Sequence, residues 1–246
     1  TIGYQWTRDG SNISGATSGT YTLVQADVGA AIRVVASYSD GQGTAETSTS
    51  AATTAVANVN DAPTGSVTIS GTATEDQVLT AANTLADEDG LGTIGYQWTR
   101  DGSNISGATS ATYTLVQADV GAVIAAVASY TDGQGTAETV TSAATSAVVN
   151  VNDTPTGSVT ISGTATEDQV LTASNTLVDA DNIVGNINYQ WTRDGINISG
   201  ATSTTYTLVQ ADVAKAIKVA ASYTDAGGAF ENVTSSPTST VVNVSH

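Results

Sequence analysis

Tyr4–Gly10, YQWTRDG, returns at Tyr96–Gly102 and again at Tyr189–Gly195, and these three copies decide the fold. Their tryptophans, Trp6, Trp98 and Trp191, stand 92 and 93 residues apart. Solenoid turns repeat every 20–50 residues or so, which is too short. A whole β-sandwich takes roughly 100 residues, which fits. The chain therefore reads as copies of one domain in tandem. Residues 1–61 form a partial repeat without its first two strands, 62–153 a complete one, and 154–246 a divergent one that reads as near an array boundary.

The complete copy shows the pattern. Val, Ile, Thr and Tyr alternate in short runs broken by Gly and Asp, a strand signature. The expected strands are 66–70, 77–85, 94–99, 104–106, 112–116, 123–131 and 138–151, with Asp101-Gly102 as a tight hairpin turn. No stretch holds a helical apolar period, so nothing helical is expected beyond a turn near Gln117–Val120. Arg33, Ala125 and Lys218 are equivalent positions, so that position faces solvent. The two-residue period then turns Ile32, Val34, Ala36 and Tyr38 inward. The matching sets are Ile124, Ala126, Ala128, Tyr130 and Ile217, Val219, Ala221, Tyr223. The tryptophans read as core anchors packed on those small alanines, with a sugar-binding platform as the alternative.

Charge narrows the partners. Six basic residues face 23 acidic ones, for a net charge of −17. Such a field repels phosphate backbones and anionic membranes, which argues against nucleic acid and membrane insertion. There is no cysteine, and the single histidine is His246. That inventory leaves no thiol nucleophile and no Ser-His pair, so an enzyme is not expected. The sequence opens part-way through a repeat and reads as a piece of a longer array.

Several joined motifs, NVNDAP (58–63), TATEDQ (72–77), DEDG (87–90) and SYTDGQG (129–135), carry a resemblance. With the Trp strand, TYTL and the Asp-containing corner, they resemble the immunoglobulin-like and cadherin-like tandem repeats of giant bacterial repeat-in-toxin adhesins, which are exported by type I secretion. The resemblance implies all-β tandem sandwiches, a secreted or cell-surface location, and stalk domains stiffened by calcium.

In such a sandwich the loops fall at two ends. Asp87, Asp89 and Asp132 then gather beside the linker residues Asn60 and Asp61. Glu75 and Asp76 gather at the other end, beside Asn152 and Asp153, where the next repeat adds Asp179, Asp181 and Asp225. Five or more carboxylates around one point would repel one another without a cation. Calcium takes six to eight oxygens in loose geometry, and no His or Cys is at hand for zinc, copper or iron. The plainer reading is that these acids only solubilise loops. Asp27, Asp119 and Asp212, in the corner, and Asp9, Asp101 and Asp194, in the hairpin turns, read as structural.

The function expected is a calcium-stiffened extender of an adhesin, its partners being neighbouring repeats in the same chain. Two alternatives remain: a glycan- or protein-binding module, and a fibre subunit whose incomplete first repeat receives a strand from another copy.

Overall fold

Alternating β-formers pair into five antiparallel sheets over residues 1–244, which the computed structural model describes. The divergence expected at Ser245-His246 lies outside the described residues. The chain sorts into two units. One comprises Thr1–Thr72, Val78–Tyr113 and Ala122–Ser146; the other comprises Ala73–Gln77, Thr114–Gly121 and Ala147–His246.

In the first unit, β1 (Gly3–Arg8), β2 (Ser11–Asn12), β3 (Ile32–Ser39) and β4 (Ala45–Thr49) form a sheet ordered β2-β1-β3-β4. Strands β5 (Val67–Ser70), β6 (Val78–Asn83) and β9 (Thr112–Thr114) form a second. A third combines β7 (Gly95–Arg100), β8 (Ser103–Asn104), β10 (Ile124–Thr131) and β11 (Ala137–Thr141) in the order β11-β10-β7-β8. Trp98 pairs opposite Ala126 and is fully buried, as are Leu79, Ile124, Ala126 and Ala128. The volumes match: one large ring against small alanines fills the space between two sheets.

The second unit repeats this plan within itself. Strands β12 (Val159–Ser162), β13 (Val170–Asn175) and β16 (Thr205–Thr207) face β14 (Ile183–Arg193), β15 (Ile196–Asn197), β17 (Ile217–Asp225) and β18 (Phe230–Thr234). Both sheets feed one core of Val159, Leu171, Trp191, Leu208, Val219 and Tyr223 with their neighbours. Gly163 ends β12 at φ 119°, where a Cβ would sit 2.6 Å from the Val170 carbonyl, so only glycine fits. A sugar platform on Trp98 or Trp191 is excluded by their burial.

The inward sets hold in the second and third repeats, where Tyr130 and Tyr223 are buried. In the first repeat Ile32 is buried, Val34 and Ala36 are half-buried, and Tyr38 is exposed. No second sheet covers that face among the described residues. The last strand is shorter than expected: β11 stops at Thr141 rather than reaching Val151. Side-chain hydroxyls stand in for strand carbonyls as acceptors there, while Ser142 and Thr145 N–H still donate to Ala126 and Ile124 C=O. Ser142 Oγ accepts from Ala126 N–H at 3.0 Å and Thr145 Oγ1 from Ile124 N–H at 3.1 Å.

Helical content is limited to single turns at Gln25–Asp27, Gln117–Asp119 and Gln210–Asp212. Each follows an extended residue. The Asp212 carboxylate accepts from Val209 N–H (2.8 Å), Tyr206 Oη (2.8 Å) and Arg193 Nε (2.6 Å), and Asp212 is fully buried. Asp27 has the same partners in Val24, Tyr21 and Arg8. Burial pushes the Asp27 pKa up, but Val24 N–H, Arg8 and Tyr21 outweigh it and hold it below 3.8. That stabilisation is complete above pH 3.8 and disappears as pH falls through the lower folded value.

Asp212→Ala is expected to cost about 2–4 kcal/mol in urea unfolding, from the lost cap and charge-assisted bonds. Lys215→Ala removes only the exposed 3.0 Å pair with Asp194 and should leave the midpoint nearly unmoved.

Candidate metal centre

The loop before β6 delivers Glu75 by backbone bonding. Thr74 bridges Val149, Glu75 N–H donates to Val149 C=O (2.9 Å), and Asp76 N–H donates to Leu115 C=O (3.1 Å). Asp76 takes the left-handed turn position at φ 62° and points to solvent. Glu75 is only 3% exposed. Its carboxylate oxygen lies within 4.8 Å of oxygens from Asp153 and Asp181, all in the second unit. Glu75 accepts from Val151 N–H at 3.2 Å, and Asp181 accepts from Asp153 N–H at 2.7 Å.

The Gln117 amide completes this cluster. With its nitrogen turned inward it donates to Glu75 at 2.9 and 3.1 Å and to Asp181 at 3.3 Å. With its oxygen turned inward it adds a further acceptor, and its nitrogen donates to Asn150 Oδ1 at 3.4 Å. Which orientation holds depends on what else sits among the carboxylates.

A second cluster joins Asp179, Asp225 and Glu231, again within 4.8 Å. Asp179 accepts from Asp181 N–H (2.9 Å) through one oxygen and from Tyr223 Oη (2.6 Å) through the other. Asp225 Oδ1 accepts from Ala229 N–H at 2.8 Å, whereas its buried Oδ2 has no partner among the described residues. Glu231 accepts from Asn152 Nδ2 at 3.0 Å. Burial first, then the Asp179, Glu231 and Asp225 charges, push the Tyr223 pKa up.

The carboxylates expected at one point thus divide between two. Five of the expected residues, Glu75, Asp153, Asp179, Asp181 and Asp225, come together in these clusters, and Asn152 adjoins one. Asp76 does not, because its backbone bond to Leu115 turns the side chain outward. The sequence reading missed Glu231, Gln117 and Asn150. A signal existed for two of them: Glu46, Glu138 and Glu231 recur at one repeat position, as do Gln25, Gln117 and Gln210.

In the first unit Asp89 accepts from Asp61 N–H (2.8 Å) and Gln25 Nε2 (2.7 Å). Asp87 accepts from Asp89 N–H (2.9 Å) and Tyr130 Oη (2.6 Å), and Asn60 donates to Glu138 at 2.8 Å. Asp132 accepts from Gln134 and Thr136 N–H, and its Oδ2 is buried without a partner among the described residues. The hydrogen-bond scheme is that of the second unit. Yet only the second unit gathers three carboxylates within 4.8 Å, among the described residues.

No family model matches the chain, and no curated protein matches it. Among solved structures it is similar to a Ca2+-stabilized adhesin with which an Antarctic bacterium reaches out and binds ice, at 16% identity and a TM-score of 0.32. That alignment covers 100% of this chain and 66% of the other. A tetra-tandem repeat from the extending region of a large adhesion protein aligns at 19% identity and a TM-score of 0.31, over 96% and 66%. A 1.5-MDa bacterial ice-binding adhesin, described for host cell surface retention, aligns at 14% identity and 0.31, over 99% and 87%. The chain spans just under two thirds of the first two. At this level of similarity, function has to be argued from the residues.

Burial, followed by the Asp153, Asp76 and Asp181 charges, pushes the Glu75 pKa above 4.5 despite the Val151 N–H. A raised carboxyl pKa stabilises the fold fully below the unfolded value of 4.5 and ceases to do so as pH rises through the folded value. Glu75→Gln is therefore expected to raise the metal-free melting temperature at neutral pH and to flatten the profile above 4.5. Thermal unfolding in chelator from about pH 4 to about pH 8 checks this. An unchanged slope would show that Glu75 is not under electrostatic strain.

Proposed function

We propose that the chain is a run of extender repeats from a secreted or surface-anchored bacterial adhesin, with calcium bound at the linker around Asn150–Pro155. The observation that carries this reading is the pair of oxygen-only clusters, one of which contains a buried Asp225 oxygen without a partner. Oxygens bound to one calcium at 2.3–2.6 Å lie within about 5 Å of each other, which the spacing of these groups satisfies. The donors are carboxylates with an amide alongside, the hard set calcium prefers, and loops rather than rigid strands supply several of them. Glu75, Asp153 and Asp181 would hold one ion, and Asp179, Asp225 and Glu231 another.

Calcium here would neutralise part of the −17 charge. It would also tie Glu75, Asp153 and Asp181 together, adding to the single N–H bonds that Val151 gives Glu75 and Asp153 gives Asp181. A spacer needs that stiffness and can repeat its loops, whereas a recognition surface gains little from near-identical copies. Among the described residues no helix is long and apolar enough to cross a membrane.

Extracellular calcium modules bind at about 10⁻⁴–10⁻³ M, so about 10 mM calcium should stabilise by about 1.5–3 kcal/mol per site. Differential scanning calorimetry in calcium and in chelator measures the shift. Asp181→Asn and Asp225→Asn should each reduce it, through different clusters. Identical melting temperatures in both buffers would remove the metal. A maximum dimension unchanged by calcium in small-angle scattering would count against the stiffening role.

A further inference from the structure

The third repeat departs from the other two at three positions that lie together on one sheet face. Ser37, Ser129 and Ser222 occupy the same place on β3, β10 and β17. Ser37 pairs with Gly3 and Thr47, and Ser129 with Gly95 and Thr139, but Ser222 pairs with Asn188 and Asn232. Two residues further on, Ser39 pairs with Ala45 and Thr131 with Ala137, whereas Thr224 pairs with Phe230. The first two repeats thus keep Gly, Thr and Ala where the third has Asn, Asn and Phe.

Phe230 is the only phenylalanine in the chain and is 70% exposed. Holding a ring in water is unfavourable, and the other repeats manage with alanine there. Strand β14 differs as well: it has 11 residues where β7 has 6, and a register shift between Val184 and Asn188 sets Val184 opposite Thr224. Val184, Thr224 and Phe230 therefore form one cross-strand row, and Asn188, Ser222 and Asn232 form the next on the same face. All but the half-buried Ser222 are exposed. Val159, Leu171 and Ala173 of β12 and β13 cover the inner side of this sheet, so the face is the outside of a complete sandwich.

Charge and hydrogen bonding narrow what fits there. Asp225 and Glu231 alternate with the row residues and belong to the second carboxylate cluster, so neither row contains a carboxylate. Asn83 and Asn175 donate their amides to tyrosines, and Asn152 donates to Glu231. Asn188 and Asn232 commit theirs to no other described residue and leave them to solvent. A carboxamide offers donors and an acceptor together, which matches neighbouring sugar hydroxyls, while an aromatic ring packs against the sugar's C–H face.

We propose that the outer face of β14, β17 and β18 binds a neutral saccharide. Phe230 is the stacking ring, Asn188 and Asn232 are the amide partners, and Val184 and Thr224 border the ring. A neutral polymer fits because the field of a chain with net charge −17 repels an acidic one. One such face on one repeat leaves the other repeats free to act as spacers. It uses no residue of either carboxylate cluster, so it stands whether or not calcium binds.

Affinity electrophoresis of the full chain in gels containing dextran, mannan, galactan or a β-glucan tests this, with alginate as the acidic control. Retardation by at least one neutral polymer is expected, and none by alginate. Phe230→Ala and Asn232→Thr restore the residues found at Ala137 and Thr139, so both variants should keep the melting temperature. Each should weaken binding of the retarding polymer, Phe230→Ala by about tenfold or more. No retardation by any neutral polymer, retardation by alginate alone, or equal retardation of the chain and both variants overturns the proposal. So does a dimer seen by light scattering that Phe230→Ala abolishes, since the face would then serve a second copy of the chain.

Discussion

A carboxylate removed from water needs a donor, a proton or a counter-charge, because an unpaired buried ion costs several kcal/mol. Glu75 and Asp181 are 3% and 2% exposed, and both are held in place by the fold. Glu75 is fixed through its own N–H and the Val149 carbonyl, and Asp181 through the turn begun by Asp179. Either could swing into solvent only by giving up the N–H it accepts, from Val151 or from Asp153. One backbone N–H reaches each carboxylate, which is fewer than a buried anion ordinarily collects. The remaining compensation must come from a proton, from the Gln117 amide or from a cation. The raised pKa of Glu75 expresses this as a tendency to take the proton when nothing better is present.

The same chain solves an equal problem differently at its corners. Asp212 is as buried as Asp181 but receives Arg193, Tyr206 and Val209 N–H, so its charge is matched inside one repeat. With only six basic residues available, that solution is reserved for the corner. No Lys or Arg pairs with either linker cluster among the described residues. The contrast separates a carboxylate whose charge is matched by an arginine of its own repeat from carboxylates that no Lys or Arg matches among the described residues.

Much of this was legible in residue order. The alternation along Ile217–Tyr223 announces a strand with one buried face, and Trp191 opposite Val219 follows from filling a sandwich. The Asp-x-Asp pattern of Asp179 and Asp181 announces a turn in which one carboxylate caps the other's N–H. Glu231 was harder to read, because its recurrence with Glu46 and Glu138 marks a position without showing what that position faces. Register supplies that meaning, since Glu231 pairs opposite Tyr223, whose hydroxyl is already committed to Asp179. The division into two clusters was likewise hidden. Loop-end assignment places groups to within a domain's width, whereas ligand sharing is decided over a few ångströms. The end of β11 depended on Ser142 and Thr145 hydroxyls standing in for strand carbonyls, which composition alone does not reveal.

The two clusters differ in how they are assembled, and this bears on the order in which calcium would enter. Asp179 sits on a loop, and Asp225 and Glu231 on the paired strands β17 and β18 of the same sandwich, so that site needs no other repeat. Glu75, Asp153 and Asp181 combine a residue of one repeat, the linker and the next repeat. Asp179 connects them, since its carboxylate both contributes to the first cluster and accepts the Asp181 N–H. An ion on Asp179 would fix the turn that aims Asp181, and so lower the ordering cost of the second ion. Coupling of that kind is reciprocal, and here it would run through one shared turn rather than through the sandwich core. The linker would then tighten as a consequence of a site that forms without it.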